Sequence, residues 1–162
     1  MASEGRGYFE IGVYHTKTPV NLGTLLRSAY QLGAAGVFTV GRRYSSQSSD
    51  TCKAWRHIPV RHFATLDELV NGLPMGCPMV GVEMGGTPLS GFKHPARAAY
   101  LLGAEDYGLV PDALLRCHAV VSIEAVRVPS FNVAVAGSLV MYDRLRQLAA
   151  ARGVGEASHA TS

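Results

Sequence analysis

The sequence has little cysteine, little charge and no long apolar run. Its three cysteines, Cys52, Cys77 and Cys117, lie far apart and include no CxxC pair, which argues against a disulfide framework or a zinc ribbon and is typical of reduced thiols. No stretch approaches the roughly 20 apolar residues that span a bilayer. No apolar segment follows a basic N-terminal start, so we expect a soluble cytoplasmic protein that needs no membrane and no metal.

The residues that are present predict a packed domain. With 162 residues, of which 48% are hydrophobic and 17% charged, the chain can bury a core without crosslinks and is not of the disordered class. We expect a single domain over 1–152 and a disordered Ser/Ala/Gly tail over 153–162. The net charge of +3 is compatible with a nucleic-acid partner but does not identify one.

Alternating strand and helix signals predict an α/β fold, a mostly parallel sheet flanked by helices. A strand over 9–14, a helix over 22–32 and a strand over 37–40 form one βαβ unit. Further strands are predicted over 60–63, 78–83, 98–102 and 119–123. Further helices are predicted over 65–72, where Thr65 and Glu68 form a capping box, over 111–117, and from the run 133–138 to about residue 146.

The polar segment 42–57 interrupts this alternation. Its basic residues are Arg42, Arg43, Lys53, Arg56 and His57, and they are interleaved with Tyr44 and Trp55. Charge mixed with aromatic faces is typical of contacts to single-stranded nucleic acid. A solvated loop is the alternative.

Three loops follow predicted strands at their carboxyl ends, where open α/β sheets bind ligands. They cover residues 19–27, 103–109 and 126–137. Taken singly, each has an ordinary explanation: Asn21 as a helix cap, Arg27 as a surface charge, and the glycines as turn residues. Together they are harder to dismiss, because Glu105 stands between Gly103 and Gly108 directly after a buried strand. That pattern puts an acid and two flexible backbone points at one sheet edge.

The last of these loops leads into a helix that opens with small residues. Ser130 and Asn132 stand just before it, where exposed backbone N–H groups and the positive end of the helix dipole favour an anionic or carbonyl-bearing ligand. An ordinary amphipathic helix would place Leu and Ile there. The small side chains of 133–138 therefore predict a surface that a ligand or another backbone approaches closely.

Three motifs stand in one order along the chain. The first, N-x-G-x-x-x-R, is formed by Asn21, Gly23 and Arg27; the second, G-x-E-x-x-G-L, by Gly103, Glu105, Gly108 and Leu109; the third, S-L-N-V-x-V-A, by Ser130, Asn132, Val133, Val135 and Ala136, with Phe131 in place of the usual Leu. One motif alone is weak, whereas the ordered triple is specific. Over 9–147 the chain therefore resembles the SPOUT-class RNA methyltransferases, specifically the TrmH (SpoU) family of ribose 2′-O-methyltransferases in its minimal, single-domain form.

The resemblance implies a fold and a cofactor. The C-terminal part of the sheet would be threaded as a deep trefoil knot, a rare exception to the rule against knots, and the small residues would let the threaded segments pass closely. The cofactor would be S-adenosylmethionine, held largely by backbone groups of the knot loops. Carried over by position, its contacts are Val82, Glu83, Gly103, Gly108, Ile123, Ser130 and Phe131.

The resemblance also implies a catalytic group. Arg27 would be the catalytic arginine, with Asn21, Glu105, Ser130 and Asn132 around it. Because an arginine keeps its proton at ordinary pH, our hypothesis is that Arg27 holds the target phosphate and stabilises the developing alkoxide. The proton would then leave through that phosphate, Ser130 or water.

The implied partners are tRNA or rRNA and a second copy of the chain. The family works as a homodimer with the knot region at the interface and the RNA site shared between subunits. Candidate interface residues are Leu139, Val140, Tyr142 and Leu145. Their spacing suits an intramolecular core equally well.

Three other functions are weighed against a ribose methyltransferase. A catalytically silent RNA-binding protein could share the fold, because fold does not determine function, although the retained motif residues argue against it. Some knotted relatives methylate a base instead of the ribose. A dinucleotide-binding enzyme is disfavoured, because no GxGxxG follows the first strand and no P-loop is present.

Overall fold

One parallel sheet between two layers of helices forms the fold. The computed structural model describes residues 7–44 and 53–159, with side chains as far as residue 153. Its strands are β1 (Tyr8–Tyr14), β2 (Gly36–Val40), β3 (Val60–Phe63), β4 (Met79–Pro88), β5 (Arg97–Leu102) and β6 (Ala119–Ser122). Its helices are α1 (Pro19–Gln31), α2 (Leu66–Gly72), α3 (Pro111–Arg116) and α4 (Val133–His159), with short 3-10 turns at Ala54–Arg56 and Leu89–Gly91.

The strand order across the sheet is β3-β2-β1-β5-β4-β6, and neighbouring strands pair in parallel. The first three strands occupy one half of the sheet and the last three the other half, so the winding direction changes between β1 and β5. In open α/β sheets, ligands bind at the carboxyl ends of the strands near such a change of direction. The predicted α/β fold with a mostly parallel sheet is confirmed, and the knotted threading stays a prediction.

Helices cover both faces of the sheet. One buried cluster includes Ile11, Leu25, Tyr100 and Met141, and so joins the sheet to α1 and α4. The other includes Phe38, Leu69, Leu101 and Ala113, and joins it to α2 and α3. Because successive side chains of a strand point to opposite faces, burial of both Tyr100 and Leu101 explains why β5 is apolar without interruption from Ala98 to Leu102.

Helix α1 lies on the sheet because its apolar residues recur at helical spacing. Leu22, Leu25, Leu26 and Ala29 are all buried, which corresponds to one face of a helix. Pro19 stands at its first turn, where the missing N–H has no helical partner to lose. Gly33, with φ at +85°, turns the chain directly after the helix ends.

Two predicted boundaries are wrong. Strand β4 continues to Pro88 instead of ending at Glu83, because its pairing with β6 shifts register between Val82 and Thr87 and then resumes. Such an irregularity looks like a turn in the sequence, where Gly85 and Gly86 stand. Helix α4 continues to His159, past the predicted end near residue 146 and into the segment predicted as a tail. The alanines at 149–151 favour this continuation.

Candidate functional site

A cavity of about 440 Å³ opens at the carboxyl ends of β5 and β6, beside the segment of β4 where the pairing shifts register. Its walls come from four segments of the chain, within 82–85, 102–108, 122–125 and 129–136. All seven predicted cofactor contacts line it, namely Val82, Glu83, Gly103, Gly108, Ile123, Ser130 and Phe131. The structure therefore brings these seven positions together around one cavity. Their role in cofactor binding stays a prediction.

Two glycines of the cavity wall leave no room for a side chain. A Cβ on Gly103 would overlap the backbone of Gly108 and Leu109. Gly108 has φ at +65°, and a Cβ there would overlap the carboxylate of Glu83. That carboxylate accepts hydrogen bonds from the Leu109 N–H at 2.7 Å and the Met84 N–H at 2.8 Å. Glu83 thereby ties the 103–109 loop to β4.

Glu105 holds the segment between β1 and α1. Its carboxylate accepts hydrogen bonds from the Thr16 hydroxyl, the Lys17 N–H at 2.8 Å, the Thr18 N–H at 3.3 Å and the Asn21 side-chain amide at 2.8 Å. Burial by itself would raise the pKa of Glu105, but the hydrogen bonds from Lys17, Thr16 and Asn21 outweigh it and lower the pKa to about 2. Glu105 is therefore an ionised positioning residue, unsuited to accept a proton at neutral pH.

A chain of amide hydrogen bonds joins the three motifs. The Oδ1 atom of Asn132 accepts from the N–H groups of Ala134 at 2.9 Å and Val135 at 3.3 Å, so Asn132 caps α4. Its Nδ2 atom then donates to Oδ1 of Asn21 at 2.9 Å, which leaves Nδ2 of Asn21 to donate to Glu105. Asn21 is buried and makes no cap, because the N-cap of α1 is Thr18.

The small residues of α4 are explained by its contact with α1. A Cβ on Gly137 would overlap the Leu25 side chain, and the Ser138 hydroxyl donates to the Ser28 hydroxyl at 2.9 Å. Ala134 and Ala136 are buried in the same cluster. Close packing of the two helices keeps their N-termini, and hence Asn21 and Asn132, side by side.

The charge of the cavity wall is negative although the chain is basic overall. Carboxylates of Glu83, Glu105, Asp106 and Glu124 line it, and the described lining residues include no Lys, Arg or His. Lys17 pairs with Asp106 and lowers its pKa, and the Ser90 hydroxyl and N–H bind Glu124. Such a wall suits a cationic ligand and disfavours a polyphosphate.

Arg27 lies apart from this cavity. It is on α1, six residues after Asn21, with an exposed side chain, and it is not among the residues that line the cavity. The structure thus joins Asn21, Glu105 and Asn132, brings Ser130 to the cavity wall, and puts Arg27 on the outer side of the same helix. Its catalytic role stays a prediction.

The predicted RNA-binding residues are Arg42 and Arg43 on one side of residues 45–52 and Lys53 and Arg56 on the other. Residues 45–52 lie outside the described part of the chain. Arg42 donates to the Lys17 carbonyl at 3.3 Å, and the Tyr44 hydroxyl donates to the Thr16 carbonyl. These two residues therefore hold the segment that Glu105 holds. Arg43, Lys53 and Arg56 have exposed side chains.

Two groups that build the site lie outside the residues predicted from the sequence. Thr16, Lys17 and Thr18 supply donors to Glu105, and Ser90 binds Glu124. The polar run HTKT directly after β1 was a usable signal, because it stands at the carboxyl end of a strand. The Ser90 contact had no such signal, since it depends on β4 continuing to Pro88.

The fold and site define an α/β protein with a ligand cavity beside the switch point of a parallel sheet. Residues 8–142 match the model of the SpoU rRNA Methylase family, and the chain belongs to that family.

Relatives with curated names share part of their length with this chain. An uncharacterized tRNA/rRNA methyltransferase of Archaeoglobus fulgidus is 30% identical over 133 residues, which cover 78% of this chain and 59% of the relative. One of Mycobacterium tuberculosis is 32% identical over 139 residues, covering 80% and 42%. The chain thus spans about half the length of these relatives.

Solved structures with the same fold cover most of the chain. One, from work on the 2-OH methylation of C/U34 on tRNA, has a TM-score of 0.81 and 25% identity, covering 90% of this chain and 99% of the other. An AdoMet-bound rRNA methyltransferase of Sinorhizobium meliloti has a TM-score of 0.75 and 26% identity, covering 88% and 57%.

Among the helices that the structure describes, none is both long and apolar enough to cross a membrane. No group of three or more His, Cys, Asp or Glu side chains in the described ranges could hold a metal ion.

Proposed function

We propose that this protein is an S-adenosylmethionine-dependent RNA methyltransferase that methylates a ribose 2′-hydroxyl of tRNA or rRNA. The observation that carries the proposal is the amide chain from Asn132 through Asn21 to Glu105, beside the acidic cavity. It joins residues of all three family motifs at one sheet edge. The chain's family, the AdoMet-bound relative and the relative studied for 2-OH methylation support the same function.

The cavity fits the proposed cofactor in charge. S-adenosylmethionine supplies an electrophilic methyl group on a cationic sulfonium, and it carries an ammonium group as well. Four carboxylates and no described cation line the cavity, so a cation is favoured there over a nucleoside polyphosphate. Gly103 and Gly108 keep this part of the wall in place, because a Cβ there would collide with the 108–109 backbone or with the Glu83 carboxylate. Val82, Ile123, Ser130 and Phe131 would complete the contacts.

Residues of the chain would position the substrate, bind its phosphate and help to remove the proton. Methyl transfer requires the ribose hydroxyl to lie in line with the methyl group and to lose its proton. Glu105 is engaged by the start of α1 and has a pKa of about 2, so it positions α1 and does not take that proton. Arg27 on α1 would grip the adjacent phosphate and stabilise the developing alkoxide. The proton would leave through that phosphate, Ser130 or water.

A second copy of the chain would complete the site. Helix α4 exposes an apolar stripe, Val135, Leu139, Tyr142 and Leu145, at a spacing that puts these side chains on one side of the helix. Val140 is fully buried, so of the four candidate interface residues it belongs to the core. The exposed stripe and Val20 of α1 form a surface suited to isologous pairing.

The proposal is tested by methylating RNA with the purified full chain. The protein is incubated with isotope-labelled S-adenosylmethionine and with unmodified tRNA and rRNA, and the RNA is digested to nucleosides for mass spectrometry. A labelled 2′-O-methylnucleoside is expected. A base-methylated nucleoside would show that the enzyme methylates a base and not the ribose. Cofactor binding by calorimetry without any product would indicate a silent RNA-binding protein instead.

A further inference from the structure

The positive charge of the chain is concentrated in one stretch. Residues 11–66 contain seven Lys or Arg and one Asp, whereas the remainder of the chain contains eight Lys or Arg and eleven Asp or Glu. The stretch 11–66 therefore carries a net charge of +6 within a chain of net charge +3. Two of the seven cations, Lys17 and Arg61, are paired with Asp106 and Glu10 outside the stretch. The remaining five would attract a polyanion to this part of the molecule and not to the acidic cavity.

Exposed aromatic rings lie in the same stretch. Trp55 is 49% exposed and Tyr30 is 41% exposed. The Tyr30 ring is stacked on the His57 ring with centroids 4.9 Å apart and planes 18° apart. The Arg56 guanidinium lies 5.1 Å from the centre of the Trp55 ring. We call these four residues, Tyr30, Trp55, Arg56 and His57, the aromatic platform.

The platform is built on rigid elements. Ala54, at the start of the 3-10 turn, is fully buried in the cluster beneath α1. Its carbonyl accepts hydrogen bonds from the N–H groups of His57 at 2.8 Å and Ile58 at 3.1 Å. The turn therefore presents Trp55 at a defined place and loses little conformational entropy when a ligand binds.

The platform also adjoins the proposed catalytic arginine. Tyr30 follows Arg27 by three residues on α1, and both side chains are exposed, so they lie on one side of the helix about one turn apart. A nucleotide next to the one held by Arg27 would thus meet Tyr30 and the turn at 54–56.

We propose that the aromatic platform stacks an unpaired RNA base beside the target nucleotide, and so selects single-stranded segments over duplex. Aromatic side chains bind unpaired bases through their faces, and arginine adds a cationic contact to the same stack. In an A-form duplex the base faces are covered by their neighbours. The inference rests on the proposed function, because the stacked base neighbours the target nucleotide only if Arg27 holds that nucleotide.

Fluorescence tests this directly, since Trp55 is the chain's single tryptophan. The full-length protein is titrated with a synthetic RNA hairpin carrying a seven-nucleotide loop and with a blunt duplex of equal length at the same salt. We expect the hairpin to quench Trp55 and to bind at least about tenfold more tightly than the duplex. Equal quenching by both RNAs, or no quenching by either, would overturn the inference.

Substitutions separate stacking from charge and from folding. Trp55→Ala should weaken hairpin binding by roughly 5- to 100-fold, the range expected for one lost base stack, whereas Trp55→Phe should retain most of the affinity. Leu115→Ala is the control, because Leu115 is 85% exposed on α3, outside 11–66. Binding of S-adenosylmethionine should be the same in all three variants. Unchanged hairpin affinity in Trp55→Ala with normal cofactor binding would refute the platform.

The outcomes distinguish this inference from the proposed function. If the wild type methylates RNA and Trp55→Ala keeps the same KM for RNA, the platform is wrong and the function stands. If no RNA is methylated but Trp55→Ala loses hairpin binding, the platform is right and the protein is an RNA binder. If Trp55 emission shifts with protein concentration in the absence of RNA, the surface is a contact between copies and the inference fails.

Discussion

The side-chain amide of Asn132 donates a hydrogen bond of 2.9 Å to the Oδ1 atom of Asn21, 111 residues earlier in the chain. Each of the two side chains makes further hydrogen bonds. Asn132 accepts two N–H groups at the start of α4, and Asn21 donates to Glu105 after β5. The start of two helices and the end of a central strand are therefore fixed relative to one another by two side-chain amides.

Two substitutions at Asn132 separate its cap of α4 from its hydrogen bond to Asn21. Asn132→Asp keeps an oxygen acceptor for the α4 N–H groups but cannot donate to Asn21, whereas Asn132→Ala loses both. We expect Asn132→Ala to lower the free energy of unfolding by about 1–2 kcal/mol, and Asn132→Asp to keep the cap yet lose methyl transfer. Thermal unfolding and turnover measure this. Full activity in Asn132→Asp would mean that the bond to Asn21 is not needed.

The carboxylate of Glu105 makes stability depend on pH. Its pKa falls from an ordinary value near 4.5 to about 2 in the folded protein, so the ionised form stabilises the fold above about pH 4.5, and this contribution is lost as the pH falls towards 2. Glu105→Gln should be less stable than the wild type at pH 7, and the difference should shrink in acid. Asp106→Asn is the control, because the Asp106–Lys17 pair is exposed and contributes little. A difference that is constant from pH 7 to pH 2 would contradict the assignment.

Gly103 is expected to tolerate no side chain. Gly103→Ala would force a methyl group into the backbone of Gly108 and Leu109, and the wall of the cavity would have to move. We expect cofactor affinity, measured by calorimetry, to fall at least about tenfold, as for an overpacked site. Gly91→Ala serves as the matched change, because a Cβ at Gly91 meets nothing within 4 Å. Equal affinity in both variants would remove the Gly103 loop from the binding site.

Arg27 should affect turnover and not cofactor binding. Its side chain is exposed on α1 and does not line the cavity, so Arg27→Ala should lower turnover by roughly 100-fold or more with nearly unchanged affinity for S-adenosylmethionine. Arg27→Lys should recover only part of the rate, because a lysine cannot bind phosphate in a bidentate manner. A mutant that methylates at the normal rate would exclude Arg27 from the mechanism.

The apolar stripe on α4 should determine the oligomeric state. Tyr142→Glu would place a charge in the centre of the proposed interface, and we expect the protein to become monomeric in light scattering coupled to size-exclusion chromatography. Leu115→Glu alters an apolar residue on α3 that is 85% exposed, against 54% for Tyr142, and should leave the dimer intact. A monomeric wild type, or a Tyr142→Glu dimer, would contradict the proposed interface.

Local patterns in the sequence predicted most of the secondary structure. The run at 98–102 was predicted as a buried strand and is β5, and the spacing of Leu22, Leu25 and Ala29 predicted α1. Where the local pattern misleads, the cause is tertiary. The glycines at 85–86 resemble a turn, and only the resumed pairing with β6 at Thr87 makes them part of β4.

By itself the sequence determined the chemical inventory of the site: which residues form the three motifs, and that each motif lies next to a strand end. Only the tertiary structure decided what those residues do to one another. Asn21, Glu105 and Asn132 are far apart in the chain, and no local periodicity encodes a contact across 111 residues. Their meeting depends on β1 and β5 lying side by side in the sheet. That adjacency results from the packing of the whole fold, and it lets Glu105 hold the start of α1 in place.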